Sequence, residues 1–353
     1  MSFYPLNLKK YEREGNKIFP ILQLDRLVGL LRFDKEVIIN LAKHAGQYYK
    51  PFDRKKFGTK KWRHIDNPTG LLKAVQNRIY GNILSRIVLP DNIIGGVKGK
   101  SIKDNAAFHI GKNELVTFDI RNCFPSIDNK KIFSIFRSGL GCSSEVATIL
   151  TQLTTFQTRL PQGASTSLTL ANLSLLPIYE EIGPWMKKAD FDYSFFVDDI
   201  AVSGVNARSC IPVVVRAVQS NGYAISCKKL KIMPSNSHQE VTGVVVNKKE
   251  ALSRSKINAI RKSIIVLSER QDQITQGDLN SVYGKINYVS TISKVKAAVL
   301  EKFAEKLLPA KAKEIRKFKI DETQKCNCAK RHKVDFLKKP QLQNKTIVSR
   351  TVE

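Results

Sequence analysis

The sequence predicts an α+β fold from three observations. Apolar residues recur at helical spacing over residues 21–31 and again over residues 257–267. Between these stretches, residues 115–120 and 193–204 are rich in β-branched and aromatic residues, as strands are. The chain has 353 residues, 42% of them hydrophobic, which is enough for one large core or for two to three subdomains. A chain that combines helical stretches with strand-like runs belongs to the mixed classes, and α+β is the class expected here.

The charge balance predicts a polyanionic partner. Lys and Arg number 59 against 31 Asp and Glu, which gives a formal net charge of +28. Nucleic acid is the first candidate, and an anionic membrane surface is the second. No apolar run approaches the roughly 20 residues of a membrane-spanning helix, so no membrane association is expected. The six cysteines have no framework spacing, which favours a reducing compartment and predicts a cytoplasmic protein.

Three acids carry the predicted chemistry. Asp198 and Asp199 stand between two apolar runs in residues 193–204, a pattern that predicts a β-hairpin with both carboxylates at its tip. Asp119 ends another β-rich run and is followed by a bend. Alone, an Asp-Asp pair is ordinary turn chemistry. With Asp119, the set supplies enough carboxylate oxygen for two Mg²⁺ ions about 4 Å apart, which predicts nucleotidyl transfer.

Two other segments could hold a nucleotide. In an extended segment, Lys61 and Arg63 project from one face, where paired cations can bind a triphosphate. The alternative for this segment is a solvated basic hairpin. Gln162 can both donate and accept hydrogen bonds, and Gly163 permits close approach of the backbone to a base or sugar. A glycine-rich loop at residues 95–101 lacks the P-loop pattern, although backbone contact with a phosphate chain is plausible there.

In chain order, these segments resemble four motifs of one polymerase family. They are FDIRNCFPSI at 118–127, PQGASTS at 161–167, FVDD at 196–199 and SCKK at 226–229. The chain resembles the reverse transcriptases and, among them, the bacterial retron-type enzymes, from about residue 60 to about residue 292. The resemblance implies a right-hand polymerase with fingers, a palm containing an antiparallel sheet, and a helical thumb.

The resemblance also implies domain boundaries. N-terminal helices and fingers are expected at 1–112, and the palm at 113–246 with a fingers segment at about 130–165. The thumb is expected at 247–308 and a basic C-terminal tail at 309–353, where 13 Lys or Arg stand against 5 Asp or Glu.

The resemblance implies roles for the palm and fingers residues. The catalytic residues would be Asp119, Asp198 and Asp199, and the ligands of two Mg²⁺ ions, with Mn²⁺ as a substitute, would be Asp119, Ile120, Asp198 and Asp199. Phe124 stands five residues after Asp119, where the family keeps an aromatic that blocks a ribose 2′-OH, so dNTPs are the expected substrates. The remaining nucleotide contacts would be Lys61, Arg63, Gln162, Gly163 and Lys229, the last assisting departure of pyrophosphate.

Other segments predict RNA contacts. Asn105 to His109 resembles the NAxxH element of retron enzymes, and Val241-Thr242-Gly243 resembles their VTG element. Both elements are associated with recognition of a structured RNA. Separately, Arg254, Lys256, Arg261 and Lys262 lie largely off the apolar stripe of 257–267, so this helix could track phosphates or simply present a solvated face.

We therefore predict an enzyme that copies a structured non-coding RNA into cDNA, with a possible effector protein, in anti-phage defence. Three alternatives stay open at this point. They are an RNA-binding scaffold with a vestigial polymerase site, a group II intron-like reverse transcriptase without a maturase domain, and an RNA-dependent RNA polymerase, which would not need the bulk of Phe124.

A second metal site is not expected near the C-terminal end of the sequence. The segment Cys326-Asn327-Cys328 with His332 lacks the second ligand pair of a zinc site.

Overall fold

A computed structural model describes residues 8–11, 20–55, 62–270 and 273–308. The chain forms two compact units, Met1–Ser253 and Arg254–Glu353. Lys61 and the predicted basic tail lie outside the described residues, so neither prediction can be compared with the fold. The observed mixture of helices and antiparallel sheets confirms the predicted α+β class. Among the described residues, no helix is long and apolar enough to cross a membrane.

The first unit contains nine α-helices and eight strands within the described residues. Its helices are α1 (Leu24–Leu31), α2 (Lys35–Lys43), α3 (Gly70–Asn82), α4 (Ile102–Ala107), α5 (Cys123–Ser126), α6 (Asn129–Ser134), α7 (Ser144–Thr154), α8 (Ser167–Lys188) and α9 (Ile211–Ser220). Its strands are β1 (Tyr49–Lys55), β2 (Trp62–Pro68), β3 (Glu114–Asp119), β4 (Asp192–Phe196), β5 (Asp199–Gly204), β6 (Lys231–Pro234), β7 (Glu240–Val241) and β8 (Val244–Val245).

A four-stranded antiparallel sheet positions the acids. Its strand order is β4-β5-β3-β6. The central strand β3 is covered on both faces, so Leu115, Val116 and Phe118 are all buried, which explains its nearly continuous apolar run. The 22-residue helix α8 packs against β4 and α9, and eleven of its residues are buried. Helix α8 continues through Pro177 and Pro184, because packing on several sides stabilises it despite the missing N–H groups.

A separate two-stranded hairpin, β1–β2, carries the predicted triphosphate-binding segment. Tyr49 pairs with Pro68 at its base and Lys55 pairs with Trp62 at its outer end. Directly paired residues share one face of the sheet, so Arg63 lies on the same face as Arg54, and Ile65 lies on that face two residues further along β2.

The second unit consists of α10 (Arg254–Ser268), α11 (Gln276–Ile292) and α12 (Lys294–Leu307) in its described part. The apolar stripe predicted for α10 packs inward, with Ile260, Ile264 and Leu267 buried. Of the basic residues predicted to contact RNA, Arg254, Arg261 and Lys262 are exposed, and Lys256 is half-buried. The cations therefore lie away from the buried apolar stripe of α10, as the amphipathic pattern predicts.

Candidate active site

A strained turn holds the two consecutive acids. Strands β4 and β5 are joined by Val197 and Asp198, with Phe196 paired to Asp199. Val197 has φ of 58°, a left-handed conformation that is a genuine outlier for a β-branched residue. Such strain persists only where the surroundings impose it, and it is typical of functional sites. The turn leaves Asp198 half-buried and Asp199 exposed.

The register of the sheet brings the third acid to this turn. Asp119, the last residue of β3, pairs directly with Asp199, and the Ile120 N–H donates to the Asp198 carbonyl at 2.8 Å. Directly opposed residues of antiparallel strands have Cα atoms about 4.5–5.5 Å apart. Asp119, Asp198 and Asp199 are therefore brought together at one end of the sheet from positions 80 residues apart in the chain.

A lysine ammonium lies against these carboxylates. The Nζ of Lys229 donates to Oδ2 of Asp119, and the Ser226 N–H donates to the Asp119 carbonyl at 2.8 Å. This hydrogen bond raises the pKa of Lys229, and the charges of Asp119, Asp198 and Asp199 raise it further. Conversely, burial raises the pKa of Asp198, with repulsion from Asp119 adding to the effect. The Lys229 ammonium thus interacts with all three carboxylates.

The donor set fits a divalent cation. Within the part of the chain that the structure describes, no group of three His, Cys, Asp or Glu side chains is already arranged around a metal position. The Lys229 ammonium nevertheless shows that this cluster attracts positive charge, and its carboxylate oxygens are the hard ligands that Mg²⁺ and Mn²⁺ prefer. Because Lys229 is largely exposed, its side chain is free to move when an ion arrives.

Two of the predicted nucleotide-binding segments converge here. The charge of Arg63 on β2 acts to lower the pKa of Asp198, opposing the effect of burial. Strand β2 also binds the loop that contains Gln162, through a hydrogen bond from the Asp66 N–H to the Gln162 carbonyl at 2.9 Å. Gly163 has φ of 145°, and a Cβ there would lie 2.9 Å from the Asp66 carbonyl oxygen. Only glycine fits this close approach.

Phe124 lies on the short helix α5 that follows the Asp119 strand. The chain enters α5 through Asn122, whose left-handed φ of 49° is tolerated by asparagine. Phe124 is half-buried and packs against the core of the first unit. Its predicted role as a steric gate stays a prediction.

The elements predicted to contact RNA, residues 105–109 and 241–243, are mostly buried beside the sheets. His109 is fully buried, with Nδ1 2.7 Å from Ser203 Oγ and Nε2 2.8 Å from Ser194 Oγ. Asn105 is also buried, and its Nδ2 donates to Thr242 Oγ1 at 3.3 Å. Thr242 and Gly243 form the turn between β7 and β8, whereas Val241 is buried. Because His109, Asn105 and Val241 are covered, any part that they play in RNA recognition is indirect.

The buried imidazole of His109 predicts a pH-dependent stability. Burial lowers its pKa to about 4, while in an unfolded chain it would titrate near about 6.5. As pH falls from about 6.5 to about 4, the unfolded state takes up a proton that the folded state excludes, so the folded state loses stability, by on the order of 3 kcal/mol. We expect the Tm to fall by roughly 5 °C or more across this range.

Melting curves of the wild type and of His109→Gln between pH 4.5 and 7.5 check this prediction. The variant lacks the titrating ring, so its Tm should depend less on pH than that of the wild type. The control is His44→Gln, which removes an exposed histidine and should leave the wild-type pH dependence unchanged. Equal slopes for wild type and His109→Gln would contradict the prediction.

Sequence analysis missed two positions that shape this site. Asp66 binds the Gln162 loop, and Gly95 packs behind the Val197 turn: a Cβ on Gly95 would lie 2.5 Å from the Val197 nitrogen. The Gly95 N–H donates to the Phe195 carbonyl, and the Gly95 carbonyl accepts from Asn172 Nδ2 at 2.7 Å. The first residue of the glycine-rich loop therefore packs against the turn that holds Asp198, whereas the sequence suggested only contact with phosphate for this loop. The two consecutive glycines could have drawn attention to this segment. Nothing in the sequence indicates that it packs against the Val197 turn.

Comparison with known proteins agrees with this arrangement. Residues 54–246, more than half of the chain, match the reverse transcriptase (RNA-dependent DNA polymerase) family. The chain belongs to the reverse transcriptases. The matched range of the reverse transcriptase contains Asp119, Asp198 and Asp199, the Gln162 loop and Lys229.

Its relatives identify the branch of the family. This reverse transcriptase is 32% identical to the retron Ec86 reverse transcriptase of Escherichia coli over 214 residues, 60% of this chain and 67% of that protein. It is 28% identical to the retron Se72 reverse transcriptase of Salmonella heidelberg (strain 579083-10) over 305 residues, 82% of this chain and 80% of that protein. The prediction of a retron-type reverse transcriptase is confirmed.

Proposed function

We propose that this retron-type reverse transcriptase copies a structured RNA into cDNA by two-metal nucleotidyl transfer from dNTPs. The observation that carries the proposal is the pairing of Asp119 with Asp199 beside the Asp198 turn. Two divalent ions, Mg²⁺ or Mn²⁺, would supply an activated 3′ hydroxyl and a stabilised pyrophosphate leaving group. The three carboxylates, with Ile120 beside them, would hold these ions.

The surrounding residues have complementary roles in this proposal. Arg63, near the acid turn, would bind the triphosphate, with Lys61 from the adjoining segment. Gln162 and Gly163 would lie along the nucleotide and the template. Lys229 would leave Asp119 and place its ammonium near the departing pyrophosphate, where positive charge stabilises the leaving group. No protein residue needs to act as a general base in this scheme.

Phe124 would select deoxyribose. An aromatic side chain beside the sugar excludes a 2′-OH by bulk, so Phe124→Ala should admit rNTPs and lower the preference for dNTPs by about 100-fold, or about 2.7 kcal/mol. The measurement is primer extension with each nucleotide type and the ratio of their kcat/KM values. Phe133→Ala, which truncates a partly buried aromatic on α6, controls for loss of packing. An unchanged ratio in Phe124→Ala would show that Phe124 is not the gate.

The RNA partner would be bound mainly through charge. The net charge of +28 would attract the phosphates of the RNA. The phosphates would be contacted by the exposed Arg254, Arg261 and Lys262 of α10, together with Lys256. Thr242 and Gly243 lie at a turn that would reach RNA, and Asn105 contacts this turn through Thr242 Oγ1. Val241 anchors the turn as a buried residue, and His109 would act only through the sheet that it supports. In this proposal the palm occupies 113–246 and the thumb 247–308, with fingers before and within the palm and a basic tail after the thumb.

The names of the relatives, retron reverse transcriptases, support an RNA template and a cDNA product. We propose further that the template is a cognate non-coding RNA and that the enzyme acts in anti-phage defence with an effector protein. A cytoplasmic location agrees with the free thiols of Cys123, Cys142, Cys210 and Cys227.

The decisive test is primer extension by the purified chain on an RNA template with dNTPs and Mg²⁺. We expect cDNA synthesis that EDTA abolishes and that rising salt weakens, because phosphate contacts release counterions. RNA binding without extension on any template would favour a scaffold with a vestigial site. Sequencing the nucleic acid that co-purifies with the protein would identify the template.

A further inference from the structure

Asp66 is a buried carboxylate that none of the recognised motifs contains. It lies near the base of β2, only 3% exposed, three residues after Arg63. Its Oδ2 accepts a hydrogen bond from the Gln162 N–H at 3.1 Å. Its own N–H donates to the Gln162 carbonyl at 2.9 Å. One residue of the β1–β2 hairpin therefore binds both backbone polar groups of Gln162.

The contact continues at the next residue of the loop. Gly163 follows Gln162, and its Cα passes so near the Asp66 carbonyl that a Cβ would lie 2.9 Å from that oxygen. A Cβ there would also lie 3.0 Å from Ile65 Cγ2. The loop is thus seated against β2 at two successive residues, and the side chain of Asp66 is the only polar side chain recorded in this backbone contact among the described residues.

The other oxygen of Asp66 faces positive or ionisable groups. Oδ1 is buried and accepts no hydrogen bond from the described residues, but it lies 3.4 Å from His64 Nε2 and 4.0 Å from Arg159 Nη2. His64 also contacts Asp53 through Nδ1 at 2.8 Å. Burying a carboxylate is costly unless it is hydrogen-bonded or paired. The hydrogen bond from the Gln162 N–H to this carboxylate is a contact that an apolar side chain could not make.

We propose that Asp66 is a positioning residue that couples the Arg63 hairpin to the Gln162–Gly163 loop, so that both sides of the nucleotide site keep one geometry. The inference rests on the proposed function, in which these two segments bind the dNTP. Asp66 does not touch the nucleotide itself. Its carboxylate holds the Gln162 backbone in place. The loop is therefore already ordered when the nucleotide binds.

The test compares Asp66→Ala with Asp66→Asn in single-nucleotide primer extension. Asp66→Ala leaves the Gln162 N–H without its acceptor, and we expect the KM for dNTP to rise about tenfold while kcat changes less than about threefold. Asp66→Asn keeps an oxygen that can accept the same bond, so its KM should stay within about threefold of the wild type. Asp53→Ala removes the exposed carboxylate that also contacts His64, and its KM should equal that of the wild type.

A second variant covers the case in which Asp66→Ala does not fold. A second measurement distinguishes failure of this inference from failure of the proposed function. Asp66→Val fills the space that Ala would leave and favours the strand conformation, but it supplies no acceptor, so it replaces Asp66→Ala if the latter does not fold. Hydrogen exchange of the Gln162 amide needs no activity, and it should be at least about tenfold faster in the Ala or Val variant. Unchanged exchange, or faster exchange with an unchanged KM, would overturn the coupling. A wild type that never incorporates dNTPs would instead refute the proposed function, and exchange would still decide the contact.

Discussion

Asp198→Asn is expected to slow primer extension by at least about a thousandfold, equivalent to about 4 kcal/mol of transition-state stabilisation. The substitution preserves size and one acceptor oxygen but removes one of the three negative charges that meet at the end of the sheet. A neutral amide is a weaker ligand for a hard divalent cation, and the proposed two-ion scheme uses the charge of all three acids. The measurement is single-turnover extension of an annealed primer at saturating dNTP.

The same variant should not lose stability. Burial and repulsion from Asp119 raise the pKa of Asp198, so ionising this carboxylate is unfavourable in the folded protein without a cation. The Tm of Asp198→Asn without Mg²⁺ should therefore equal or exceed that of the wild type. Asp190→Asn, at an exposed left-handed position in the turn before β4, is the matched control and should keep wild-type activity and Tm. Extension by Asp198→Asn within tenfold of the wild type would refute the catalytic assignment.

Gly95→Ala should lower the extension rate by about 100-fold, although residue 95 is not expected to touch the substrate. The added Cβ would lie 2.5 Å from the Val197 nitrogen and 2.7 Å from the Phe196 carbonyl carbon. Both are backbone atoms of the turn that presents Asp198, so they cannot yield as the end of a flexible side chain would. Either the turn moves, which displaces the acid, or the 92–95 segment separates from β4.

Overpacking of this kind also costs stability, typically about 1–3 kcal/mol, so the Tm of Gly95→Ala should fall by several degrees. Activity is therefore measured well below that Tm. Gly81→Ala provides the control, because Gly81 lies in α3 with no atom within 4 Å of an added Cβ. That variant should be fully active and equally or more stable. A fully active Gly95→Ala would show that the turn does not depend on its contact with Gly95.

Much of the candidate site is visible in the sequence because each part has a local signature. An Asp-Asp pair between apolar runs predicts the β4–β5 hairpin, although the turn itself is Val197-Asp198 and Asp199 already belongs to β5. A β-rich run that ends in Asp119 predicts β3. The spacing of apolar residues in α10 predicts the inward packing of Ile260, Ile264 and Leu267, although Ile257 of the same stripe is only half-buried. The order of the four motifs then predicts the family, which the match over residues 54–246 confirms.

Other features depend on contacts between distant residues and have no local pattern. His109 is a lone histidine in the sequence, and only the fold places it between Ser194 and Ser203, 85 and 94 residues away. Asp66 is one polar residue in a strand until the Gln162 loop, 96 residues later, meets it. The attraction of Lys229 to Asp119 likewise arises only when β3 and the turn before β6 are adjacent.

The amino-acid sequence by itself determined the α+β class, the family, the basic charge and the identity of the three acids, because periodicity, composition and motif order are properties of the chain. The tertiary structure alone decided that Asp119 meets Asp199 in register, that Gly95 supports the turn at Val197, and that Asp66 joins the hairpin to the loop. The physical reason is that strand register and backbone approach are set by packing among segments up to about a hundred residues apart, which no local pattern encodes.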